Sequence, residues 1–473
     1  MKRYRVFRCG RIAVQTIVAV IIAAAVVAGV PCIFSRMQIV PAIAACATTW
    51  LIIWLVATLI FGRIYCATVC PCGTLMELIA WLSRPRKWHY SFTAPSTRLR
   101  YSILVIIVIC ALFGFSAVVS LADPYSAFAR MVTAAYRPAA IGVAGVITAA
   151  ATLILIIIFS RRQGRIICNT ICPVGTVLGT LSKMSLYHAD INTDLCVNCR
   201  KCEDVCSAQC INLTDHVIDP MRCVVCFDCM AVCPNDAIRY RRGRHQLSIP
   251  MMQRVAGGEG VSAIKAEPSE PSSMSRIDRR TFLLALAGTG AAGTTFAAAR
   301  SHRYVEGSTR LIPLNYVTPP GTSSREDFLH RCTACGACIS ACPTGVLTAS
   351  TKQYGVRHAL TPVMDFDKSY CSFSCVKCTE VCPSHALNTL TAAEKHNFPI
   401  GRARVCATNC ILYENNAGCG ACAKACPKRA ISIIRDSDGR RSPHVEPELC
   451  IGCGRCANVC PAQPYRAIVI EGL

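Results

Sequence analysis

The first 189 residues contain only two acids, Glu77 and Asp123, against eighteen lysines and arginines. A water-facing surface normally intersperses both signs of charge, so this poverty argues against a soluble globular fold for that third. Aromatics make up 7% of the 473 residues and do not interleave with a basic stripe, so the formal charge of +23 does not point to nucleic acid. No Cys-x-x-Cys-His occurs, which excludes c-type haem attachment, and no Walker loop supports a nucleotide site. Only about 241–277 reads as a polar Pro/Gly/Ser-rich linker, which confines disorder to a short segment. The excess is in cysteine: 35 residues in a chain that is 53% hydrophobic with mean hydropathy +0.40. Such density normally marks small disulfide scaffolds, but a long apolar chain points instead to a membrane protein whose thiols hold metal.

Four apolar runs lie in the first third: Ile12–Val30, Ala42–Phe61, Tyr101–Leu121 and Ala139–Phe159. Each has about 20 residues, enough to cross a ~30 Å hydrocarbon core as a helix. Basic residues cluster before the first run, between the second and third (Arg84, Arg86, Lys87, Arg98, Arg100) and after the fourth (Arg161, Arg162, Arg165). The alternate loops hold only Arg36, Arg130 and Arg137, so the bias places the N-terminus and residues 190–240 in the cytoplasm. A fifth, Ala/Gly-rich apolar segment, Phe282–Ala299, follows Arg279-Arg280-Thr281-Phe282-Leu283. This reads as an internal twin-arginine export signal, retained as a fifth membrane anchor, that carries residues 300–473 to the outer side through the twin-arginine translocase.

Cysteine spacing carries the chemistry. Cys196, Cys199, Cys202 and Cys206 precede Cys223, Cys226, Cys229 and Cys233-Pro234, the bacterial two-cluster ferredoxin pattern. In that pattern the fourth cysteine of each run crosses to the other cluster, pairing Cys233 with the first run and Cys206 with the second. Ser207 stands where proline is usual, and Cys210 competes with Cys206. Four further runs follow: Cys332, Cys335, Cys338, Cys342; Cys371, Cys375, Cys378, Cys382; Cys410, Cys419, Cys422, Cys426; and Cys450, Cys453, Cys456, Cys460. The second has an extra residue in its first gap, and in the third Cys406 competes with Cys410. Zinc sites lack the recurring Cys-Pro and disulfides would not repeat one spacing, so six [4Fe-4S] clusters are expected. At about two negative charges each, these would roughly halve the formal charge.

The membrane third is itself duplicated. Gly62-Arg63-Ile64-Tyr65-Cys66-Ala67-Thr68-Val69-Cys70-Pro71-Cys72-Gly73-Thr74 recurs at Gly164–Thr176, 102 residues on, with Cys168 and Cys172 matching Cys66 and Cys70. Duplication predicts pseudo-twofold packing that joins Cys66, Cys70, Cys168 and Cys172 into one shared site, holding a redox-active iron or iron–sulfur centre, with two redox-active disulfides or a purely structural iron as the rival readings. Arg63 and Arg165 stand three residues before each first cysteine, where their charge favours thiolates. Asp123-Pro124-Tyr125, at the outer end of the third run, offers an acid at membrane depth: Asp123 as quinol proton acceptor with Tyr125 packed on the ring, or simply a helix-ending Asp-Pro turn. Cys9, Cys32, Cys46, Cys72 and Cys110 read as structural thiols, Glu77 as a solvated residue of an amphipathic stretch, and His89 as interfacial.

The paired Cys-x3-Cys-Pro hairpins and the following two-cluster ferredoxin resemble the NapH/MauN-type membrane ferredoxins. The twin-arginine segment, Pro319-Pro320-Gly321, Asp327-Phe328-Leu329 and the runs from Cys332 resemble the NapG/MauM-type exported four-cluster ferredoxins. The resemblance covers nearly the whole chain outside the linker and implies a fusion of two usually separate proteins, with quinol dehydrogenase activity feeding a periplasmic reductase. The expected plan is a polytopic α-helical membrane domain at 1–189, an α+β ferredoxin at 190–240, a linker at 241–277, the signal and fifth helix at 278–299, and a four-cluster ferredoxin domain at 300–473. The expected place is a bacterial inner membrane. Three functions fit: quinol oxidation from the quinone pool toward a periplasmic reductase or cytochrome; electron supply to a metalloenzyme under assembly; or a quinone-independent relay from a cytoplasmic ferredoxin.

Overall fold

The computed structural model describes residues 2–83, 90–93, 96–243, 313, 315–415, 418–435, 439–462 and 465–473. Most of the linker, the twin-arginine pair, the fifth apolar segment and His89 lie outside these residues. Met1–Gln246 and Arg310–Leu473 form one compact unit.

Helix α1, Lys2–Ala28, at 27 residues, is about 40 Å long. Among the described residues two helices are long and apolar enough to cross a membrane, α1 over Tyr4–Ala28 and the helix Pro138–Gln163. The other two expected spans are interrupted. After the short helices α2 (Ile33–Arg36) and α3 (Ile39–Ala44), the backbone turns left-handed at Cys46, leaving α4 only Thr48–Phe61. Short re-entrant helices follow: α5, Ile64–Thr68, then α6, Pro71–Ser83. The third run breaks at Gly114 (φ 74°), dividing α7, Thr97–Leu112, from α8, Ser116–Ala122. Pro124 at the first helical position opens α9, Pro124–Tyr136, capped by Asp123. Pro138 likewise opens α10, Pro138–Gln163, which kinks at Gly142 (φ 72°), and α11, Ile166–Thr170, and α12, Pro173–Ser182, repeat the α5–α6 turn. Gly62 (φ 72°) ends α4 and its duplicate Gly164 (φ 60°) ends α10. Exposed apolar side chains line the long helices: Ile17 and Val20 on α1, Ile52 and Val56 on α4, Val105 and Ile109 on α7, Ile147 and Ile154 on α10. A soluble surface rarely carries so continuous an apolar belt.

A ferredoxin module sits at one end of the bundle. Its strand β1, Tyr187–Ile191, pairs antiparallel with Ile238–Arg242, so this module starts before and ends after the expected 190–240. Tyr4 stacks on Phe227 with centroids 6.5 Å apart, and Arg8 pairs with Asp228 at 2.7 Å. The second module, within 315–473, meets the opposite end of α1, where the Ser340 hydroxyl donates to the Val26 carbonyl at 2.8 Å. It is built from two-stranded antiparallel ladders, Leu347–Ala349 with Pro362–Met364, Gly401–Val405 with Ile468–Gly472, and Ile431–Arg435 with Arg441–Val445. The helical bundle therefore lies between two cysteine-rich modules.

Candidate iron–sulfur relay

In four runs the residues two and four after the first cysteine both adopt φ between 46° and 79°: Asn198 and Arg200, Val225 and Phe227, Ala334 and Gly336, Gly452 and Gly454. Non-glycine residues avoid this region, so its recurrence in one register marks a tight loop that converges three thiols. Three residues after the fourth cysteine another left-handed residue recurs: Asp236, Gly345, His385 and Arg429. Gln209, three residues after Cys206, does the same at φ 51° despite Ser207. Cys206 thus shares the backbone geometry of the fourth-ligand position, while the Cys210 sulfur lies 3.6 Å from it and hydrogen-bonds to Cys223. The Ala237 and Ala430 amides donate to the Cys233 and Cys426 sulfurs, each at 3.3 Å.

The crossed sets come together in space. Cys196, Cys199, Cys202 and Cys233 line one cavity; Cys371, Cys375, Cys378 and Cys342 line a second; Cys450, Cys453, Cys456 and Cys426 a third. Cys332, Cys335 and Cys338 all sense the charge of Cys382. Cys410, Cys419 and Cys460 pack in one apolar cluster beside Cys422, whereas Cys406 points to Thr408. Cys223, Cys226 and Cys229 face Cys206. Four soft thiol donors, amide hydrogen bonds to sulfur and an apolar surround are the donor set a [4Fe-4S] cluster requires. Burial pushes the Cys202 thiol up to about 12, and those of Cys422 and Cys453 up to about 11, so these buried sets favour neutral thiols until a cationic iron core is present. Among the described residues no three His, Cys, Asp or Glu side chains form a compact single-ion site.

Between the modules the duplicated hairpins interlock reciprocally. Arg63 of the first repeat donates to the Cys168 carbonyl at 3.1 Å, and Arg165 of the second donates to the Cys66 carbonyl at 2.9 Å. Both guanidinium groups are almost wholly enclosed, at 0% and 1% exposure. The glycines after each Cys-Pro make the interlock possible: a Cβ on Gly73 would lie 2.8 Å from the Cys66 carbonyl oxygen, and one on Gly175 2.1 Å from that of Cys168 and 2.8 Å from Arg63. Cys70 faces Cys66, Cys168 and Cys172, and Cys72 joins them. Cys72 is therefore part of this cluster rather than a lone structural thiol; nothing in the spacing separated it from Cys9 or Cys110. Glu77 is not a solvated residue. Its carboxylate accepts from Arg11 at 2.8 Å and from Arg165 at 2.7 Å. Burial would raise its pKa, but these two guanidinium groups hold it down at about 2.

Buried cations link this centre to the first module. Arg63 donates to the Met221 carbonyl at 2.9 Å and faces Cys223, while Arg165 faces Cys226. On the other side, the Cys72 thiol donates to the Pro124 carbonyl at 2.9 Å. Asp123 lies not at the outer end of a span but inside the bundle, 2% exposed, because the break at Gly114 turns α8 inward. Its carboxylate accepts from the Ser126 amide at 2.9 Å and hydroxyl at 2.6 Å, the hydrogen bonding of a helix cap. Tyr125, at 1% exposure, has no open face for a ring to stack on and senses Cys335 of the second module. Within that module the Cys371 amide donates to the Cys453 carbonyl at 2.9 Å, joining two further sets.

Comparison with known proteins identifies the same segments. A 4Fe-4S binding domain model matches 46–89 and again 142–189, the two duplicated hairpins. A second matches 193–209, and a 4Fe-4S dicluster domain model matches 331–386 and 417–463. The chain is 32% identical over 137 residues to the ferredoxin-type protein NapF of Escherichia coli K12, covering 29% of this chain and 74% of NapF. It is 28% identical over 183 residues to the ferredoxin-type protein NapH of the same strain, covering 37% of this chain and 60% of NapH. It is 31% identical over 130 residues to the methylamine utilization ferredoxin-type protein MauM of Paracoccus denitrificans, covering 26% of this chain and 57% of MauM. No solved structure matches.

Proposed function

The chain belongs to the Nap/Mau-type ferredoxin proteins, which are iron–sulfur electron carriers, and from that premise we propose that it is a membrane-bound quinol dehydrogenase passing electrons outward to a periplasmic reductase or cytochrome. One observation carries this reading: cysteine sets run without a long gap from one end of the bundle to the other. The Cys206/Cys223 set abuts Arg63 and Arg165, these arginines enclose Cys66 and Cys168, and Cys72 touches Pro124 beside Tyr125, which senses Cys335. Six [4Fe-4S] clusters occupy the ferredoxin motifs, and Cys66, Cys70, Cys168 and Cys172 hold a further iron–sulfur centre. The 4Fe-4S binding domain match over both hairpins supports the last assignment. The fusion reading places 190–243 in the cytoplasm and 315–473 outside, with the twin-arginine segment between them, in keeping with their positions at opposite ends of α1.

The test is reduction. Purified anaerobically and mixed with a quinol, the protein should show cluster bleaching and the paramagnetic signals of reduced clusters; if no cluster is reduced, the proposal fails. A second reading has its own support: Cys199 is exposed on the set it forms with Cys196, Cys202 and Cys233, a suitable contact for a soluble cytoplasmic ferredoxin. Rapid reduction by such a ferredoxin, with none by quinol, would favour a quinone-independent relay.

A further inference from the structure

A cavity of about 70 Å³, open at its mouth, lies where the bundle meets the first module. Its wall includes Arg100 on α7, Asn169 and Thr170 on α11, and Asp219, Met221 and Arg222 from the module. Arg222 is 6% exposed, donates to Asp219 at 2.9 Å and to the Thr93 carbonyl at 2.6 Å, and leaves Nη2 without a partner among the described residues. A buried guanidinium N–H without an acceptor is costly, so the position fits a ligand bearing an acceptor oxygen. Opposite it, Asn169 accepts from Arg63 at 2.6 Å and donates to the Ala208 carbonyl at 3.1 Å. Asn169 neighbours Cys168, and Ala208 follows Cys206 by two residues. The cavity thus lies between the two cysteine sets on which the proposed function depends.

Resting on that function, we infer that this cavity, rather than the region of Asp123, binds the quinol head group. The ligand class follows from the wall. Arg100 and Arg222 offer donors to ring oxygens, Asp219 offers a carboxylate to a ring hydroxyl, and Ile166 and Met221 give apolar cover. Oxidising the quinol to quinone releases two protons and two electrons; both protons leave to water at the open mouth. Iron–sulfur centres held by flanking cysteines accept electrons singly, which suits a site between two such sets. The α7 wall belongs to a helix whose Leu99 and Val105 are exposed on the apolar belt, giving the isoprenoid tail a way out to lipid.

The experiment uses the full chain in lipid nanodiscs and a photoactivatable azidoquinone. Crosslinks should map to 96–100, 166–170 or 219–222 and be displaced by unlabelled quinone. Arg222→Met and Asn169→Leu should each weaken quinone binding about tenfold, with reduction by dithionite unchanged as the sign of an intact protein. If a variant does not fold, the wild-type crosslink map still decides. Crosslinks at 116–130, displacement by phosphate or anionic lipid instead of quinone, or unchanged affinity in both variants overturns the inference while leaving quinol oxidation standing. Absence of any quinone binding overturns the proposed function as well.

Discussion

Lys395 is a buried cation aimed at one of the cysteine sets of the second module. A capping box of Thr391 and Glu394 fixes the short helix Ala392–His396, and Lys395 on it is 3% exposed. Its ammonium donates to the Cys371 sulfur at 3.2 Å, to the Ser372 carbonyl at 2.7 Å and to the Cys375 carbonyl. The extra residue between Cys371 and Cys375 removes the paired left-handed turn of the standard runs and leaves these carbonyls for the lysine. A fixed positive charge stabilises the reduced, more negative cluster. At an effective dielectric of about 20, two unit charges 4 Å apart interact by about 4 kcal/mol. The added electron spreads over a whole cluster, so about half of that, ~2 kcal/mol, is a fair expectation. At about 59 mV per 1.4 kcal/mol for one electron, Lys395→Met should lower this cluster's midpoint by about 80 mV. Lys395→Arg should retain most of the effect. The assay is a redox titration followed by paramagnetic resonance on the full chain. Unchanged midpoints for every cluster, in a Lys395→Met protein with full iron content, would refute the electrostatic reasoning.

Three other outcomes are expected. Cys66→Ser with Cys168→Ser should remove about four irons per chain while leaving the ferredoxin-motif clusters in place, read by iron and sulfide analysis; undiminished iron would sink the shared centre. Glu77→Gln leaves Arg165 buried and unpaired and should cost about 3 kcal/mol near neutral pH, read by thermal unfolding. Because the folded pKa of Glu77 lies at about 2, below its ordinary 4.5, that advantage is complete above about 4.5 and fades as pH falls toward 2; a pH-independent difference would rule out the ion-pair explanation. Replacing Arg279 and Arg280 by Lys should leave residues 315–473 protected from external protease in spheroplasts, whereas the unmodified protein is cleaved; equal protection in both contradicts the export signal.

The cysteine runs and the duplication were legible because their chemistry fixes spacing: three thiols reach one cluster only through a short loop, and a repeat of thirteen residues is visible by inspection. Counting does not separate Cys206 from Cys210, and in the fold both sulfurs lie beside Cys223. Apolar length also misled. Ala42–Phe61 and Tyr101–Leu121 are long enough to span, but hydropathy does not register the turns at Cys46 and Gly114 that let segments re-enter the bundle. Those breaks carry Asp123 inward, and the pairing of Glu77 with Arg11 and Arg165 exists only once three distant segments meet. Arg222 was invisible for the same reason: a nitrogen without a partner among the described residues is a property of a cavity, not of a motif.

The duplication matters most where it fails. Offset by 102, Cys72 corresponds to Val174, Ala67 to Asn169 and Glu77 to Gly179. In the first repeat the exceptional residue is the thiol that reaches Pro124 beside Tyr125, so this half faces the second module. In the second, Asn169 lines the junction cavity. Gly179 leaves room for Arg100, whose guanidinium would lie 2.2 Å from a Cβ placed there. A strictly symmetric pair would present the same group to both faces and give transfer no direction. On the proposed function, substituting one copy at each of these three positions while keeping Arg63, Arg165 and the four paired cysteines retains a shared centre with two unlike faces, one toward each module.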